Sequence, residues 1–153
     1  MLRMLMRDDG ANPDARFLSM LREFVGTYQG KSASTWDFKQ LAEKYVTSVA
    51  DVRHDRKLDW FFDQWVFGTG VPGYALDYKV ESEGNGFIII GTIKQSDVPE
   101  GFMMPVPVFV DDEFEGRVLV GEAEGEFRFR VAKKPERVVI DPQMEILTKN
   151  NAG

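Results

Sequence analysis

Few side chains in this sequence could carry out chemistry. His54 is the single histidine and there is no cysteine, which excludes a thiolate metal site and a Cys/His catalytic pair. His54 lies between Arg53 and Asp55 in a polar segment, as is typical of a solvated surface residue. The sequence also lacks a Gly-x-Ser-x-Gly motif, so there is no nucleophile elbow. We therefore assign no catalytic, cofactor-binding or metal-binding residue from the sequence.

An acidic cluster is the second feature with possible chemistry. Asp111, Asp112 and Glu113 are consecutive, and Glu115 follows closely. Carboxylates at this spacing are the ligand type that calcium takes, but no loop glycine and ligand register of a known calcium site is matched. We interpret the cluster as a solvated hairpin turn.

Aromatic and glycine-rich motifs offer two further alternatives. Trp36, Trp60 and Trp65 could form a platform on which a sugar stacks, yet their helical spacing beside a Phe-Phe pair favours a core position for all three. The segment Gly68-Thr69-Gly70 is not a phosphate-binding loop, because no strand pattern precedes it and no helix pattern follows it.

Length and charge limit the class of protein. The chain has 153 residues, enough for one domain or two small ones, and a formal net charge of −6. This charge argues against a nucleic-acid-binding surface, which needs clustered Lys and Arg. No apolar run approaches the ~18 residues of a membrane-spanning helix. The absence of cysteine does not fix the cellular compartment, which we leave open.

Residues 60–74 divide the sequence into two parts with different periodicity. Before this stretch apolar residues recur at helical spacing, and after it they recur at strand spacing. At its start one face of a helix is formed by Leu58, Phe61, Phe62, Trp65 and Val66, and Gly68 ends that helix. Pro72 and Gly73 then turn the chain. We predict two domains, a helical one at residues 1–70 and a β one at residues 71–153.

Two longer helices are predicted upstream of this division. The first starts with Asn12 as N-cap and Pro13 at the first helical position. The second starts with a capping box formed by Ser34 and Asp37. The apolar faces of the two helices consist of Phe17, Leu21, Phe24, Val25 and Tyr28, and of Phe38, Leu41, Ala42 and Tyr45. Short connections between such helices favour a small bundle.

Alternation of apolar and polar residues predicts short strands downstream. They fall at residues 75–80, 87–95, 104–110, 114–120, 126–131, 137–140 and 145–147. Asn85-Gly86 is a hairpin signal, and the two prolines of residues 104–110 place that strand at an edge or at strand entry. The fold class is therefore predicted as α+β, a small helical bundle followed by an antiparallel β-sandwich.

The N-terminal residues 1–6 are apolar from the first residue and carry no N-cap signal. We interpret them as the last turns of a helix whose beginning is missing; a short native helix is the alternative. In the first case Leu2, Met4, Leu5 and Met6 keep an apolar surface that would drive self-association through the helical face.

Several short motifs occur along the chain in a fixed order. They are Met1-Leu2-Arg3-Met4-Leu5, Pro13-Asp14 with Phe17 and Tyr28, Lys31 to Thr35 with Asp37-Phe38, Phe61-Phe62-Asp63-Gln64-Trp65, Gly68-x-Gly70-x-Pro72, Pro105-Val106-Pro107-Val108, Lys134-Pro135-x-x-Val138, Asp141-Pro142 and Leu147. In identity and order these segments resemble the zinc aminopeptidases of the gluzincin type, the membrane alanyl aminopeptidase and leukotriene hydrolase family. Each segment alone is weak, whereas their shared order is specific. The resemblance covers nearly the whole chain.

The resemblance implies the end of a peptidase catalytic domain followed by a β-sandwich. The family's His-Glu-x-x-His motif, third zinc ligand, amine-recognition segment and catalytic tyrosine are absent here, so no metal or catalytic residue carries over. The implied function is a non-catalytic C-terminal part of a zinc metallopeptidase. Its partner would be the N-terminal catalytic part of the same protein, and its full-length parent would hold zinc and release N-terminal residues from peptides.

The alternative is a free-standing β-sandwich binding module with a helical cap, acting without zinc. It predicts a polar, capped N-terminus and a surface patch with its own ligand. The gene sequence upstream of Met1 distinguishes the two hypotheses.

Overall fold

The computed structural model describes residues 1–7 and 11–149. The chain divides into two compact units, Met1–Gly68 and Thr69–Gly153. The regular elements described in the first unit are helices and those described in the second are strands. The α+β fold class is therefore confirmed, and so is the change of periodicity that predicted it.

The first unit contains short helices joined by turns. They are α1 (Leu2–Leu5), α2 (Ala15–Tyr28), α3 (Thr35–Glu43) and α4 (Asp59–Trp65). The predicted capping box at the start of α3 is present: Ser34 Oγ accepts the Asp37 N–H at 3.2 Å, and Asp37 Oδ2 accepts the Ser34 N–H at 2.8 Å. In the described part of the chain, no helix has the length and apolar character needed to cross a membrane.

Three of the four apolar N-terminal side chains are buried, so the expectation of an exposed surface is wrong for Met4, Leu5 and Met6, whereas Leu2 is half-buried. Met4, Leu5 and Met6 are each at most 1% exposed. The Thr47 hydroxyl donates a hydrogen bond to the carbonyl oxygen of Leu5, which ties this short segment into the unit. Burial means that these three side chains do not supply the apolar surface from which we expected self-association, and self-association itself stays a prediction.

Helix α2 differs from its prediction in two details. It begins at Ala15 rather than at Pro13, because the Asn12 carbonyl accepts the Ala15 N–H and closes a turn before the helix. Its buried face is centred on Met20, whereas Val25 is 62% exposed. Phe24 instead packs edge-on against Phe38 of α3, with ring centroids 5.1 Å apart.

Helix α4 carries the largest side chains of the first unit into its core. Trp60, Phe61 and Phe62 are all buried, and the Trp60 indole donates a hydrogen bond of 2.9 Å to the Ala50 carbonyl. A Cβ at Gly68 would lie 2.6 Å from the Gln64 carbonyl oxygen. Glycine is therefore required where the chain leaves this helix.

The second unit is a six-stranded antiparallel sheet in the order β1-β2-β5-β4-β3-β6, nearly closed into a barrel. Its strands are β1 (Gly73–Glu83), β2 (Gly86–Ser96), β3 (Met103–Val110), β4 (Glu113–Gly121), β5 (Glu124–Val131) and β6 (Val138–Ile140). Among the described residues, β4 and β5 pair at Gly121↔Glu124 alone. Two three-stranded halves, β1-β2-β5 and β4-β3-β6, therefore face each other as in the predicted sandwich.

Strand β3 is not the outermost strand, so of the two positions predicted from its prolines, an edge or strand entry, the first is wrong for the strand as a whole, while Pro105 and Pro107 lie in its first part, before the residues that pair with β6. It pairs with β4 along its length and with β6 at Val108, Phe109 and Val110. The Pro107 carbonyl accepts the Asp141 N–H, so the proline nitrogen faces the β6 side, away from the β3–β4 ladder. Because the nitrogens of Pro105 and Pro107 face the β6 side, their missing N–H groups cost no hydrogen bond between β3 and β4. On the β6 side, the register between β3 and β6 begins only at Val108.

The strand predicted at residues 145–147 is absent from the described sheet, and a turn takes its place. The Asp141 carboxylate accepts the N–H groups of Glu145 at 2.9 Å and Ile146 at 2.8 Å. These two bonds replace the ladder bonds that a strand would make. The β1–β2 turn also differs slightly: its central residues are Gly84 and Asn85, and Gly86 opens β2.

Candidate functional site

His54 lies in a turn on the surface of the first unit. Its side chain is exposed, and its backbone N–H donates to the Asp51 carbonyl at 3.1 Å. Across residues 1–7 and 11–149, no group of three or more His, Cys, Asp or Glu side chains is close enough to hold a metal ion.

The acidic cluster forms the two-residue hairpin turn that the sequence predicts. Asp111 and Asp112 have positive φ angles of 50° and 70°, as a tight turn between β3 and β4 requires. Asp111 Oδ1 accepts the N–H groups of Glu136 and Arg137 at 2.8 and 2.9 Å, and Asp112 pairs with the Arg137 guanidinium at 2.6 Å. Both carboxylates are therefore used to hold the segment before β6 against the hairpin.

The three tryptophans do not share one environment, so the core prediction fails for Trp36. Trp60 is 1% exposed, whereas Trp36 is 57% exposed. The Trp36 ring lies 5.8 Å from the ring of Phe67, which is also largely exposed, at an interplanar angle of 33°. The two rings form a small aromatic surface, with Lys39 Nζ 5.4 Å from the centroid of the Trp36 ring.

A charged cluster beside this surface was missed by the sequence analysis. Lys39 is 7% exposed, and its Nζ lies 2.8 Å from Glu43 Oε1 and 2.7 Å from Asp59 Oδ1. Glu43 Oε1 also accepts the Leu58 N–H at 3.0 Å, and Lys57 approaches Glu43 Oε2 at 3.4 Å. The Lys39–Glu43 spacing of four residues on a helix was the available signal.

Electrostatics in this cluster favour the charged forms of Lys39, Glu43 and Asp59. Burial opposes ionisation of Lys39, but hydrogen bonds to Asp59 and Glu43 outweigh it and raise the pKa of the ammonium group. Burial likewise opposes ionisation of Glu43, and the hydrogen bonds from Lys39 and the Leu58 N–H outweigh it and lower the pKa of Glu43. The hydrogen bond from Lys39 lowers the pKa of Asp59. These groups are therefore an ion-pair network, with no member held ready to exchange a proton near neutral pH.

A polar group in the core of the second unit has a comparable structural role. Gln95 is buried and receives a hydrogen bond of 3.2 Å from the Tyr74 hydroxyl. Its amide nitrogen donates to the carbonyls of Phe102 and Glu122, at 3.1 and 3.0 Å. Burial, and secondarily the charge of Asp141, raises the pKa of Tyr74, so that hydroxyl stays neutral. Gln95 thus fixes two connections between strands.

A cleft separates β4 from β5 in the second unit. At its narrow end Gly125 lies against β4: a Cβ there would be 2.8 Å from the Leu119 carbonyl oxygen and 3.1 Å from Val118 Cγ1. From there the strands diverge towards a groove of about 520 Å³. Glu113 and Glu115 lie on one wall of this groove, and Arg130 and Lys133 lie on the other.

A β-bulge directs an acidic side chain into this groove. Val108 pairs with Gly116 and Phe109 pairs with Phe114, so Glu115 is an extra residue on β4. Among the described residues, neither Glu113 nor Glu115 has an ion-pair partner, whereas Arg130 is paired with Glu83 at 2.8 Å. The groove therefore has two carboxylates on one wall and two cations on the other.

Comparison with models of known protein families gives no match to this chain, and comparison with curated protein sequences gives none either.

Proposed function

We propose that this chain is the non-catalytic C-terminal part of a zinc-dependent aminopeptidase, supplying scaffold and one wall of the substrate cleft. The observation that carries the proposal is the structural position of the residues that resemble the gluzincin aminopeptidases. These residues cap helices, fill cores and close turns, as expected of a scaffold.

The resembling residues of the first unit illustrate this. Asp37 completes the capping box of α3, and Phe61 and Phe62 are buried in α4. The capping box needs a side-chain acceptor at the third position of the helix, and Asp37 provides it. The core needs large apolar side chains, and Phe61 and Phe62 provide them.

The resembling residues of the second unit have equivalent roles. Gly70 lies against the Pro99 ring, where a Cβ would be 2.8 Å from Pro99 Cδ. Pro105 and Pro107 are buried in β3, and Asp141 holds the turn that follows β6. The resembling residues of both units therefore occupy positions at which the fold restricts the residue type.

The reaction itself would be performed by residues outside this sequence. In the family that the chain resembles, zinc is held by two histidines and a glutamate, and a second glutamate acts as general base. This chain has one exposed histidine, so its contribution would be to position and support the peptide-binding cleft.

The test is to express the longest open reading frame that includes this sequence and to assay release of the N-terminal residue from aminoacyl reporter substrates. We expect zinc-dependent hydrolysis that is lost when the residues of this chain are deleted. A reading frame without a His-Glu-x-x-His motif, or a product with no aminopeptidase activity, would overturn the proposal and favour the binding-module alternative.

A further inference from the structure

The groove between β4 and β5 has unpaired charges of opposite sign on its two walls. Glu113 and Glu115 lie on one wall and Lys133 lies on the other. Among residues 1–7 and 11–149, none of these three side chains has an ion-pair or hydrogen-bond partner, so Lys133 does not reach either carboxylate. Opposite charges that face each other without pairing leave a field across the groove, and a ligand that carries both charges can fill it.

The basic wall keeps a positive charge although Arg130 is paired. Glu83 lies 2.8 Å from the Arg130 guanidinium and 3.0 Å from that of Arg128, so one carboxylate is shared by two arginines. Lys133 adds a further ammonium group without a partner in the described chain. The wall therefore offers positive charge to an acidic group that enters the groove.

The acidic wall is held in position by the backbone around it. The β-bulge makes Glu115 an extra residue of β4, and Glu113 opens the same strand. The Asp111 carboxylate accepts the N–H groups of residues 136 and 137, which fixes the hairpin before Glu113. Because Asp111 is used in this way, a ligand in the groove would meet Glu113 and Glu115.

The size and lining of the groove suit a small polar molecule. Its volume of about 520 Å³ falls within the range of roughly 300–1,000 Å³ that is usual for small-molecule sites. Val110, Val131 and Ala132 contribute the apolar part of its lining. Lys133 opposes a purely cationic ligand and the two glutamates oppose a purely anionic one, so the charges select a zwitterion.

We propose that the β4–β5 groove binds a zwitterionic dipeptide or tripeptide. Its N-terminal ammonium group would pair with Glu113 and Glu115, and its C-terminal carboxylate would pair with Lys133. Each residue of an extended peptide separates the two termini by up to ~3.6 Å more, which lets the ligand bridge walls that are too far apart for a direct ion pair. This binding is additional to the proposed scaffold function and does not depend on it.

Titration of the isotope-labelled chain with trialanine, followed by NMR at low salt, tests the charge requirement. We expect the backbone signals of residues 110–116 and 130–133 to shift and to reach saturation. Trialanine with an acetylated N-terminus, or with an amidated C-terminus, lacks one charge and should bind about three- to tenfold more weakly. Equal binding of the three peptides, or no shift of these signals with trialanine, would overturn the proposal.

Variants of the two walls test which group each end of the peptide meets. Glu113→Gln/Glu115→Gln should weaken binding of trialanine and of its amide about three- to tenfold, and should leave binding of the acetylated peptide unchanged. Lys133→Met should weaken binding of trialanine and of the acetylated peptide, and should leave binding of the amide unchanged. Weakening that does not depend on which end of the peptide is blocked would contradict the proposal.

Each wall has a matched control. Lys134→Met removes the neighbouring exposed charge, which does not line the groove, and Glu100→Gln/Glu126→Gln removes two exposed carboxylates that lie outside it. Both controls should bind trialanine like the unaltered chain. Weakening by the controls equal to that of the groove variants would mean non-specific attraction and would also overturn the proposal.

Discussion

At the scale of single residues, Lys39 is the central charge of the first unit. Its ammonium group lies between Glu43 and Asp59, and both Lys39 and Glu43 have side chains less than a tenth exposed. A charge in such surroundings depends on its partners, because removing one partner leaves the other buried and uncompensated. The exposed pair of Lys44 with Glu23 has no such dependence.

Replacement of Lys39 should therefore be costly. We expect Lys39→Met to lower the free energy of unfolding of the first unit by about 2–4 kcal/mol, since Glu43 loses its principal partner. Lys44→Met, which removes an exposed charge, should cost less than about 1 kcal/mol. Urea unfolding followed by tryptophan fluorescence measures both, because Trp36, Trp60 and Trp65 all lie in this unit. Equal effects of the two substitutions would contradict the burial argument.

The same network sets the pH dependence of the first unit. The pKa values of Glu43 and Asp59 lie below their ordinary values of 4.5 and 3.8, so their stabilising contribution is complete above those values. It should be lost as the pH falls through the lowered pKa values of the folded state. The raised pKa of Lys39 has the opposite sign: its contribution is complete below pH 10.5 and is lost above it.

Unfolding in urea across this pH range provides the check. The midpoint of the tryptophan transition should fall on acidification below about pH 4.5, and it should fall less in Glu43→Gln, whose side chain does not titrate. A midpoint that rises on acidification, or identical profiles for the two proteins, would show that the network does not control stability.

At the scale of elements, local features of the sequence were sufficient to predict most of the helices and strands, although not the turn that replaces the strand expected at residues 145–147. The capping box at Ser34 and the periodicity of 87–95 depend on neighbouring residues alone, and both elements occur as expected. Pairing over long range was not predictable in this way. The position of β3 beside β6 and the divergence of β4 from β5 depend on contacts that alternation does not encode.

The exposure of Trp36, for which we predicted a core position, has a geometric explanation. On a helix, a residue two positions before Phe38 points about 200° away from it, so Trp36 cannot share the inner face of Phe38, Leu41 and Ala42. The aromatic character of a side chain therefore does not predict a core position when its angle on the helix points it away from the inner face. The burial of Lys39 could not be predicted, because one of its two carboxylate partners, Asp59, belongs to a different helix.

Packing inside the sheet leads to a prediction for Gly91. It pairs with Phe127 of β5, and a Cβ at Gly91 would lie 2.4 Å from Phe127 Cζ and 3.0 Å from the Asp77 carbonyl oxygen. Gly91→Ala should therefore lower the free energy of unfolding of the second unit by about 1–3 kcal/mol. The control Gly121→Ala meets no atom within 4 Å and should change it by less than about 0.5 kcal/mol.

Far-ultraviolet circular dichroism during thermal unfolding measures both glycine variants. Combining Gly91→Ala with Phe127→Leu, which shortens the buried ring, should cost less than the sum of the two single changes. Strict additivity would mean that the ring does not cause the loss of stability.

At the scale of the whole molecule, the two units share one property. The residues that resemble the zinc aminopeptidases occur in both units and have structural positions in both. The sole histidine of the sequence is an exposed turn residue of the first unit. Our proposal, that this chain would supply structure to an aminopeptidase without performing its chemistry, depends on this distribution.

The most direct test of that claim is to incubate the purified chain with zinc, measure binding by calorimetry, and assay cleavage of aminoacyl reporter substrates. We predict no one-to-one zinc complex and no cleavage above the rate with buffer alone. Tight stoichiometric zinc binding together with reporter cleavage, both abolished by His54→Ala, would contradict the claim and place a catalytic site within this chain.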